Sequence, residues 1–223
     1  MNQEQALSLL KETKLVAILR GIPVKQATDI ATALYDGGVR VLEFTFDHDD
    51  PDCVAHNCQR IRAVKKIFGD EMVVGCSTAL TVQEVEASVE AGGQIVISPN
   101  VDVSVIAKTK ALGAISMPGA LTPTEIVMAY NAGADIVKLF PAGTLGVPYI
   151  KAVRGPLGYI PMSAVGGVRP ETIADFLNVG VCGFGVGGEL VKKEFVRSGD
   201  MNALTSRARK FVHAIEQWEA NRS

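Results

Sequence analysis

The stretch MVVGCSTALTVQEVEASVEAGGQIVISP, residues 72–99, contains one complete strand–helix–strand unit. Two short apolar runs, rich in β-branched residues, flank a segment with apolar residues at i, i+3 and i+4 spacing. Thr81 is a helix start signal for the middle segment, and the closing glycines are a stop signal. Apolar runs of this kind are typical of parallel strands that are buried on both faces.

The same unit recurs along the whole chain. The eight apolar runs that we predict as strands are 15–20, 39–46, 72–78, 94–99, 114–119, 135–141, 160–167 and 182–188. Strict alternation with helical patterns requires a parallel sheet. Even spacing over 223 residues, with no GxGxxG after the first strand, favours closure over an open doubly wound sheet. We predict an α/β fold: a single (β/α)8 barrel of the TIM type, one domain over residues 1–223.

The two ends of the chain have helical patterns of their own. The first segment, QEQALSLLKE, predicts an extra N-terminal helix over the bottom of the barrel. The tail LTSRARKFVHAIEQWEA repeats apolar residues at helical spacing and predicts the eighth outer helix. Thr122 and Glu125 have the spacing of a helix N-terminal capping box within the chain.

Composition excludes several classes of protein. A net charge of -2 gives no reason to expect nucleic acid or an anionic membrane as partner. The first residues lack the basic and apolar regions of a signal peptide, and no apolar run could span a bilayer. The four cysteines form no CxxC pair and the histidines no zinc-type pattern, so we expect reduced thiols, no metal and a cytoplasmic protein.

Two charged residues interrupt apolar strands, and barrel enzymes carry their chemistry at the C-terminal strand ends. Lys138 lies within IVKLF and Glu43 within VLEFTF, with Thr45 on the same strand face as Glu43. An inward lysine is desolvated, which favours the neutral amine that a nucleophile needs. The alternatives are a lysine that reaches solvent and a structural ion pair between Lys138 and Glu43.

Other polar or flexible positions close the remaining strands. Arg20 ends the first strand and suits a carboxylate or phosphate, although a surface arginine is an equal interpretation. Thr78 ends the third strand, where it is either a ligand hydroxyl or a plain helix-entry residue. Gly166–Gly167 and Gly187–Gly188 end the last two strands and could expose amides to phosphate, or could serve tight turns alone.

Taken together, these segments resemble the KDPG/KHG aldolase family, the class I aldolases of 2-keto-3-deoxy-6-phosphogluconate and 4-hydroxy-2-oxoglutarate. The resemblance covers about residues 14–195. The most specific matching segments are MPGALTPTEI and DIVKLFPAGTLGVPYIKAVRGP, and the others are VAILRG, GGVRVLEFTF, VGCSTALT, ISPN, AVGGV and GVGGELV.

The resemblance implies roles for individual residues. Lys138 resembles the Schiff-base lysine and Glu43 the acid–base. The positions that resemble substrate-binding residues are Arg20, Thr78, Pro99, Phe140, Gly167 and Gly188. The resemblance also implies a homotrimer that needs no metal or other cofactor, with a small 2-keto acid as its substrate.

Three positions depart from the family pattern. The second-strand motif E-x-T-x-R has Asp47 in place of arginine, and Glu189 stands where the family has a phosphate-binding serine. The third-strand motif G-x-G-T reads Gly75-Cys76-Ser77-Thr78. We expect Glu189 and Asp47 to face the far end of the substrate and to disfavour a phosphorylated one. The alternative is that both carboxylates turn outward and the glycine amides of 166–167 and 187–188 bind phosphate unaided.

The sequence therefore predicts a class I aldolase that reversibly cleaves a 2-keto-3-deoxy or 4-hydroxy-2-keto acid. The products would be pyruvate, or a glyoxylate-type product, and an aldehyde. Two alternatives remain at this point: a non-covalent sugar-phosphate epimerase or decarboxylase, and a non-catalytic barrel that binds sugar acids.

Overall fold

The computed structural model describes residues 1–222 and contains one fully parallel sheet. Its strands are β1 (Leu15–Leu19), β2 (Val41–Thr45), β3 (Val73–Ser77), β4 (Ile95–Ile97), β5 (Ile115–Met117), β6 (Gly119–Ala120), β7 (Val137–Leu139), β8 (Met162–Val165) and β9 (Gly183–Val186). Each predicted apolar run contains a strand, because β-branched residues fit a pleated surface covered on both sides.

The sheet closes into an eight-stranded barrel. Its order is β5-β4-β3-β2-β1-β9-β8-β7-β6, and only Pro118 separates β5 from β6. The fifth predicted strand is therefore one strand interrupted at a residue that has no N–H to donate. The Pro118 carbonyl still accepts from the Lys138 amide at 2.9 Å. The prediction of a (β/α)8 barrel is confirmed, with its fifth strand in two segments.

Helices surround the barrel. They are α1 (Gln3–Thr13), α2 (Ala27–Asp36), α3 (Cys53–Phe68), α4 (Val82–Glu90), α5 (Val103–Ala111), α6 (Pro123–Asn131), α7 (Ala142–Leu157), α8 (Ile173–Asn178), α9 (Lys193–Ser198) and α10 (Met201–Ala220). Capping boxes at Thr81 and Thr122 start α4 and α6. The short helix α9, which the sequence did not predict, follows the last strand. No helix within residues 1–222 is long and apolar enough to cross a membrane.

Two apolar layers determine which end of the barrel is open. The larger layer lies between the strands and the outer helices, and includes Leu204, Ala208 and Phe211 of α10. The smaller one fills the lower barrel, where Ala6 and Leu10 of α1 pack against inward strand residues such as Val16. Helix α1 thus covers the bottom, as predicted, and leaves the C-terminal strand ends for a site.

Candidate active site

A cavity of about 610 Å³ opens at the C-terminal ends of the barrel strands. Its walls bring together residues that are far apart in the chain, because every parallel strand delivers its last residues to the same end. The polar and glycine residues around it are Arg20, Glu43, Ser77, Thr78, Lys138, Gly166, Gly167, Gly185, Gly187, Gly188, Glu189 and Lys193. Pro99 and Phe140 also line it.

Lys138 lies on β7 with only 8 % of its surface exposed. Burial lowers its pKa most, the positive charge of Arg20 lowers it further, and Glu43 acts in the opposite direction. Its Nζ lies 5.1 Å from the centre of the Phe140 ring. The alternative of a lysine that reaches into solvent does not describe this side chain. The amine faces the cavity in surroundings that favour its neutral form.

Glu43 lies on β2, 1 % exposed, on the cavity wall. Burial raises the pKa of its carboxyl group to about 7, although hydrogen bonds and the charges of Lys138 and Arg20 lower it. A carboxyl group with this pKa can accept and return a proton near neutral pH, which is what a general acid–base must do.

Two hydroxyl groups stand beside the Glu43 carboxylate. Thr45 Oγ1 donates to Glu43 Oε2 at 3.4 Å, and Ser77 Oγ donates to Thr45 Oγ1 at 3.2 Å. The nearby Ser77 hydroxyl group also lowers the pKa of Glu43. The sequence did not single out Ser77 as a site residue. The two-residue alternation of β3, which turns Val73, Gly75 and Ser77 to one face, was the available signal.

Lys138 and Glu43 do not form a salt bridge. Within residues 1–222, the Lys138 amine and the Glu43 carboxylate are not among the oppositely charged groups that lie within 4.0 Å of each other. Each nevertheless shifts the pKa of the other, so both charges act in the same cavity. The alternative of a structural ion pair is therefore not what the structure contains.

Arg20 and Thr78 stand at the ends of β1 and β3, on the cavity wall. Arg20 is exposed, which leaves its guanidinium group available to a carboxylate. Thr78 has a φ of 57°, a left-handed conformation that is unusual for a β-branched residue and costs on the order of 1–3 kcal/mol. Strained residues of this kind are concentrated at functional sites.

The glycines after β8 and β9 differ from one another. Gly166 and Gly167 have φ values of 92° and 71°, which favour glycine at both positions. The Gly143 amide donates to the Gly166 carbonyl at 2.7 Å, so this turn is packed against the start of α7. A side chain at Gly188 would meet no atom within 4 Å. Neither strain nor packing requires glycine at Gly188, and its presence widens the cavity mouth.

The two acidic departures from the family pattern lie in different places. Glu189 lines the cavity, and its side chain is 43 % exposed. Its carboxylate lies 3.4 Å from Arg207, whose Nε also donates to the Glu189 carbonyl at 2.8 Å. Lys193 lines the same wall. Arg207 offsets the negative charge of Glu189, which the sequence could not show.

Asp47 does not line the cavity, and the expectation that it faces the substrate is wrong. Strand β2 ends at Thr45, so strand alternation no longer sets the direction of Asp47. The residue is exposed and opens a turn in which the Asp50 amide donates to the Asp47 carbonyl at 3.0 Å.

Histidine, cysteine and acidic side chains are the remaining groups of chemical interest. Within residues 1–222 no three histidine, cysteine or acidic side chains are grouped so that they could hold a metal ion. Burial raises the pKa of the Cys76 thiol to about 12, so this group beside the barrel is neutral and unreactive. The groups that line the buried part of the cavity include the Lys138 amine, the Glu43 carboxyl group and the Ser77 hydroxyl group.

An inward lysine and a buried carboxyl group at the open end of a (β/α)8 barrel define a site for amine-based covalent catalysis. The sequence model of the family "KDPG and KHG aldolase" matches residues 7–207. The chain belongs to the KDPG and KHG aldolase family, and it is an aldolase.

Individual relatives agree with this assignment. The chain is 36% identical over 182 residues, 81% of this chain and 83% of the relative, to a probable 2-dehydro-3-deoxy-6-phosphogalactonate aldolase of Rhizobium meliloti (strain 1021). It is 32% identical over 216 residues to the KHG/KDPG aldolase of Escherichia coli (strain K12), 95% of this chain and 96% of the relative. A solved structure described as native KDPGal matches with a TM-score of 0.83 and 32% identity, covering 92% of this chain and 96% of the other.

Proposed function

We propose that Lys138 and Glu43 together cleave the C3–C4 bond of a 2-keto-3-deoxy or 4-hydroxy-2-keto acid, and form the same bond in reverse. The observation that carries this proposal is a desolvated amine and a carboxyl group with a pKa of about 7 on the wall of one cavity. A Schiff-base aldolase needs a neutral amine that attacks the substrate's carbonyl carbon and a base that accepts a proton from the same substrate.

Lys138 performs the covalent steps. Its neutral amine attacks the C2 carbonyl carbon of the keto acid, and loss of water leaves an iminium ion. When the C3–C4 bond breaks, its electron pair moves into the iminium and produces an enamine of pyruvate. Burial helps at the start, because it lowers the pKa of Lys138 and raises the fraction of the amine that can attack.

Glu43 moves the protons. As a carboxylate it takes the proton of the C4 hydroxyl group, directly or through water, while the aldehyde carbonyl forms. It then returns a proton to C3 of the enamine, and hydrolysis of the iminium releases pyruvate and restores Lys138. A pKa of about 7 suits both directions, because neither protonation state is strongly favoured near neutral pH.

The two ends of the substrate meet different parts of the cavity. We place the keto acid carboxylate near Arg20 and Thr78, where a guanidinium group and a hydroxyl group can bind it. The aldehyde portion extends toward Gly167, Gly188 and Glu189 at the mouth. Pro99 and Phe140 supply apolar walls between the two ends.

The decisive experiment is reductive trapping. Incubation with pyruvate and borohydride should add a reduced pyruvyl group to the peptide that contains Lys138, as read by mass spectrometry. Lys193 is the matched control, since it lines the same cavity but is exposed. Lys193→Arg should be labelled at Lys138 like the wild type. Absence of any adduct, or an adduct on Lys193 instead, would overturn the assignment.

We also propose that the enzyme is a single-domain cytoplasmic protein, as its sequence pattern indicates, and a homotrimer, as its resemblance to the family implies. Solution mass is the direct measurement of the oligomeric state. Light scattering after size exclusion should give three times the 23.7 kDa of one chain.

A further inference from the structure

Ser77 is buried on the inner face of β3, directly beside β2. The two strands pair in parallel, with Thr45 opposite Ser77 and Glu43 opposite Gly75. Both hydroxyl groups therefore point into the barrel near the same carboxyl group. Ser77 also lines the cavity, which Thr45 does not. Among these hydroxyls, Ser77 is thus the one that contacts the space where substrate and water lie.

The hydroxyl groups form a chain that ends on Glu43. Ser77 Oγ donates to Thr45 Oγ1 at 3.2 Å, and Thr45 Oγ1 donates to Glu43 Oε2 at 3.4 Å. A hydroxyl group has one proton to donate. Because Thr45 Oγ1 accepts the proton of Ser77, its own proton is directed to the Glu43 carboxylate. All three side chains are buried, so few waters can replace either hydroxyl.

We propose that Ser77 is a positioning residue for the aldol reaction: through its hydroxyl group it orients Thr45 and holds the Glu43 carboxylate in its proton-accepting form. Ser77 stands where the G-x-G-T pattern of the family that the sequence resembles has its second glycine. The inference rests on the proposed role of Glu43.

The electrostatic surroundings support this role. Among the groups that lower the pKa of the buried carboxyl, the Ser77 hydroxyl comes first, ahead of the charges of Lys138 and Arg20 and the hydroxyl of Thr45. Cys76 also senses the Glu43 charge, and it stays neutral because burial raises the pKa of its thiol to about 12. A carboxyl group this deeply buried depends on its few donors to stay ionised.

The test is the pH profile of kcat/KM for cleavage in Ser77→Ala and Ser77→Gly. Loss of the hydroxyl should raise the pKa of Glu43 and move the acid limb upward by about one pH unit. Activity at pH 6, relative to pH 8.5, should then fall about tenfold below the wild-type ratio. Ser77→Thr, which keeps a hydroxyl group, should return the limb to within a few tenths of a unit.

Ser116→Ala is the matched control. Ser116 is similarly buried in a barrel strand, but it pairs with Val96 on the face toward the helices. Its variant should keep the wild-type limb. Isotope-edited infrared titration of the Glu43 carboxyl in Ser77→Ala gives a direct second reading, independent of turnover.

An unchanged limb and an unchanged carboxyl titration in Ser77→Ala would overturn the proposal, as would an equal shift in Ser116→Ala. A shift that Ser77→Thr does not reverse would also contradict it. Failure of pyruvate trapping in the wild type would instead remove the proposed function itself, so the two failures are distinguishable.

Discussion

The floor of the cavity and its mouth differ in how far their charged groups are exposed to solvent. The floor is formed by Glu43, Ser77 and Lys138, and its carboxyl and amine groups have almost no contact with solvent. The mouth, formed by Gly188, Glu189 and Lys193, keeps charged groups in contact with water, with Glu189 bound to Arg207. Desolvation shifts the pKa values at the floor, whereas solvent screens the charges at the mouth.

This difference separates reaction from selection. Covalent chemistry needs a neutral amine, and burial together with a nearby positive charge favours it. Recognition of a variable aldehyde portion needs groups that can be exchanged without damage to the barrel. Changes at the floor should therefore affect rate by large factors, and changes at the mouth should affect the choice of substrate by small ones.

The largest effect is expected at Lys138. Lys138→Arg should abolish both pyruvate labelling and turnover, because a guanidinium group stays protonated and cannot attack a carbonyl. Steady-state kinetics and borohydride trapping measure the two effects separately. Labelling of the variant at the wild-type level would move the nucleophile elsewhere and break the distinction between floor and mouth.

A smaller loss is expected at the acid–base. Glu43→Gln keeps the shape of the side chain but cannot accept a proton, so cleavage should slow by roughly 10²–10⁴-fold. Pyruvate binding should remain measurable by trapping on Lys138. Turnover close to that of the wild type would show that water or another group performs the proton transfer.

Burial of Glu43 should also be measurable as pH-dependent stability. Its pKa in the folded protein is about 7, above the value of 4.5 expected when unfolded, so folding favours the protonated form. The stability that this provides is complete below pH 4.5 and is lost as the pH rises through 7. Relative to Glu43→Gln, the wild type should lose about 3 kcal/mol over this range.

Urea unfolding of both proteins from pH 4.5 to 8 measures this loss. Because glutamine does not titrate, the difference between the two proteins isolates the Glu43 carboxyl from the other acidic groups. A difference that stays constant with pH would mean that Glu43 is solvated in the folded protein.

The smallest effect is expected at the mouth. Glu189 stands where the family has a phosphate-binding serine, and a carboxylate repels phosphate by roughly 1 kcal/mol per charge pair in water. We expect a higher kcat/KM for a non-phosphorylated keto acid. Because Arg207 offsets part of the charge, Glu189→Ser should shift the ratio toward the phosphorylated substrate by at most about tenfold. A wild type that clearly prefers the phosphorylated substrate would contradict this expectation.

The sequence predicts the floor better than the mouth. Lys138 and Glu43 were visible because each charged residue interrupts an apolar run, and strand alternation then places both on the inner face. Asp47 and Glu189 lie beyond the ends of β2 and β9, where no period fixes direction. The contact of Glu189 with Arg207 joins residues 18 positions apart on different elements, and no local pattern predicts it.

The same limit applies to the fold. The eight apolar runs predicted the barrel, because strands that are buried on both faces have nearly continuous apolar sequences. The break at Pro118 fell inside one of those runs, since proline is also apolar and does not interrupt the pattern. The short helix α9 lacked a sufficiently long period to be recognised.

Helix α1 has a kinetic consequence. By packing Ala6 and Leu10 beneath the barrel, it covers the lower end, while the cavity opens at the C-terminal ends of the strands. In the proposed mechanism the pyruvyl portion is covalently bound to the buried Lys138, and the aldehyde portion extends toward the mouth. On the proposed mechanism, cleavage must therefore release the aldehyde first and pyruvate second, and condensation must admit pyruvate before its partner.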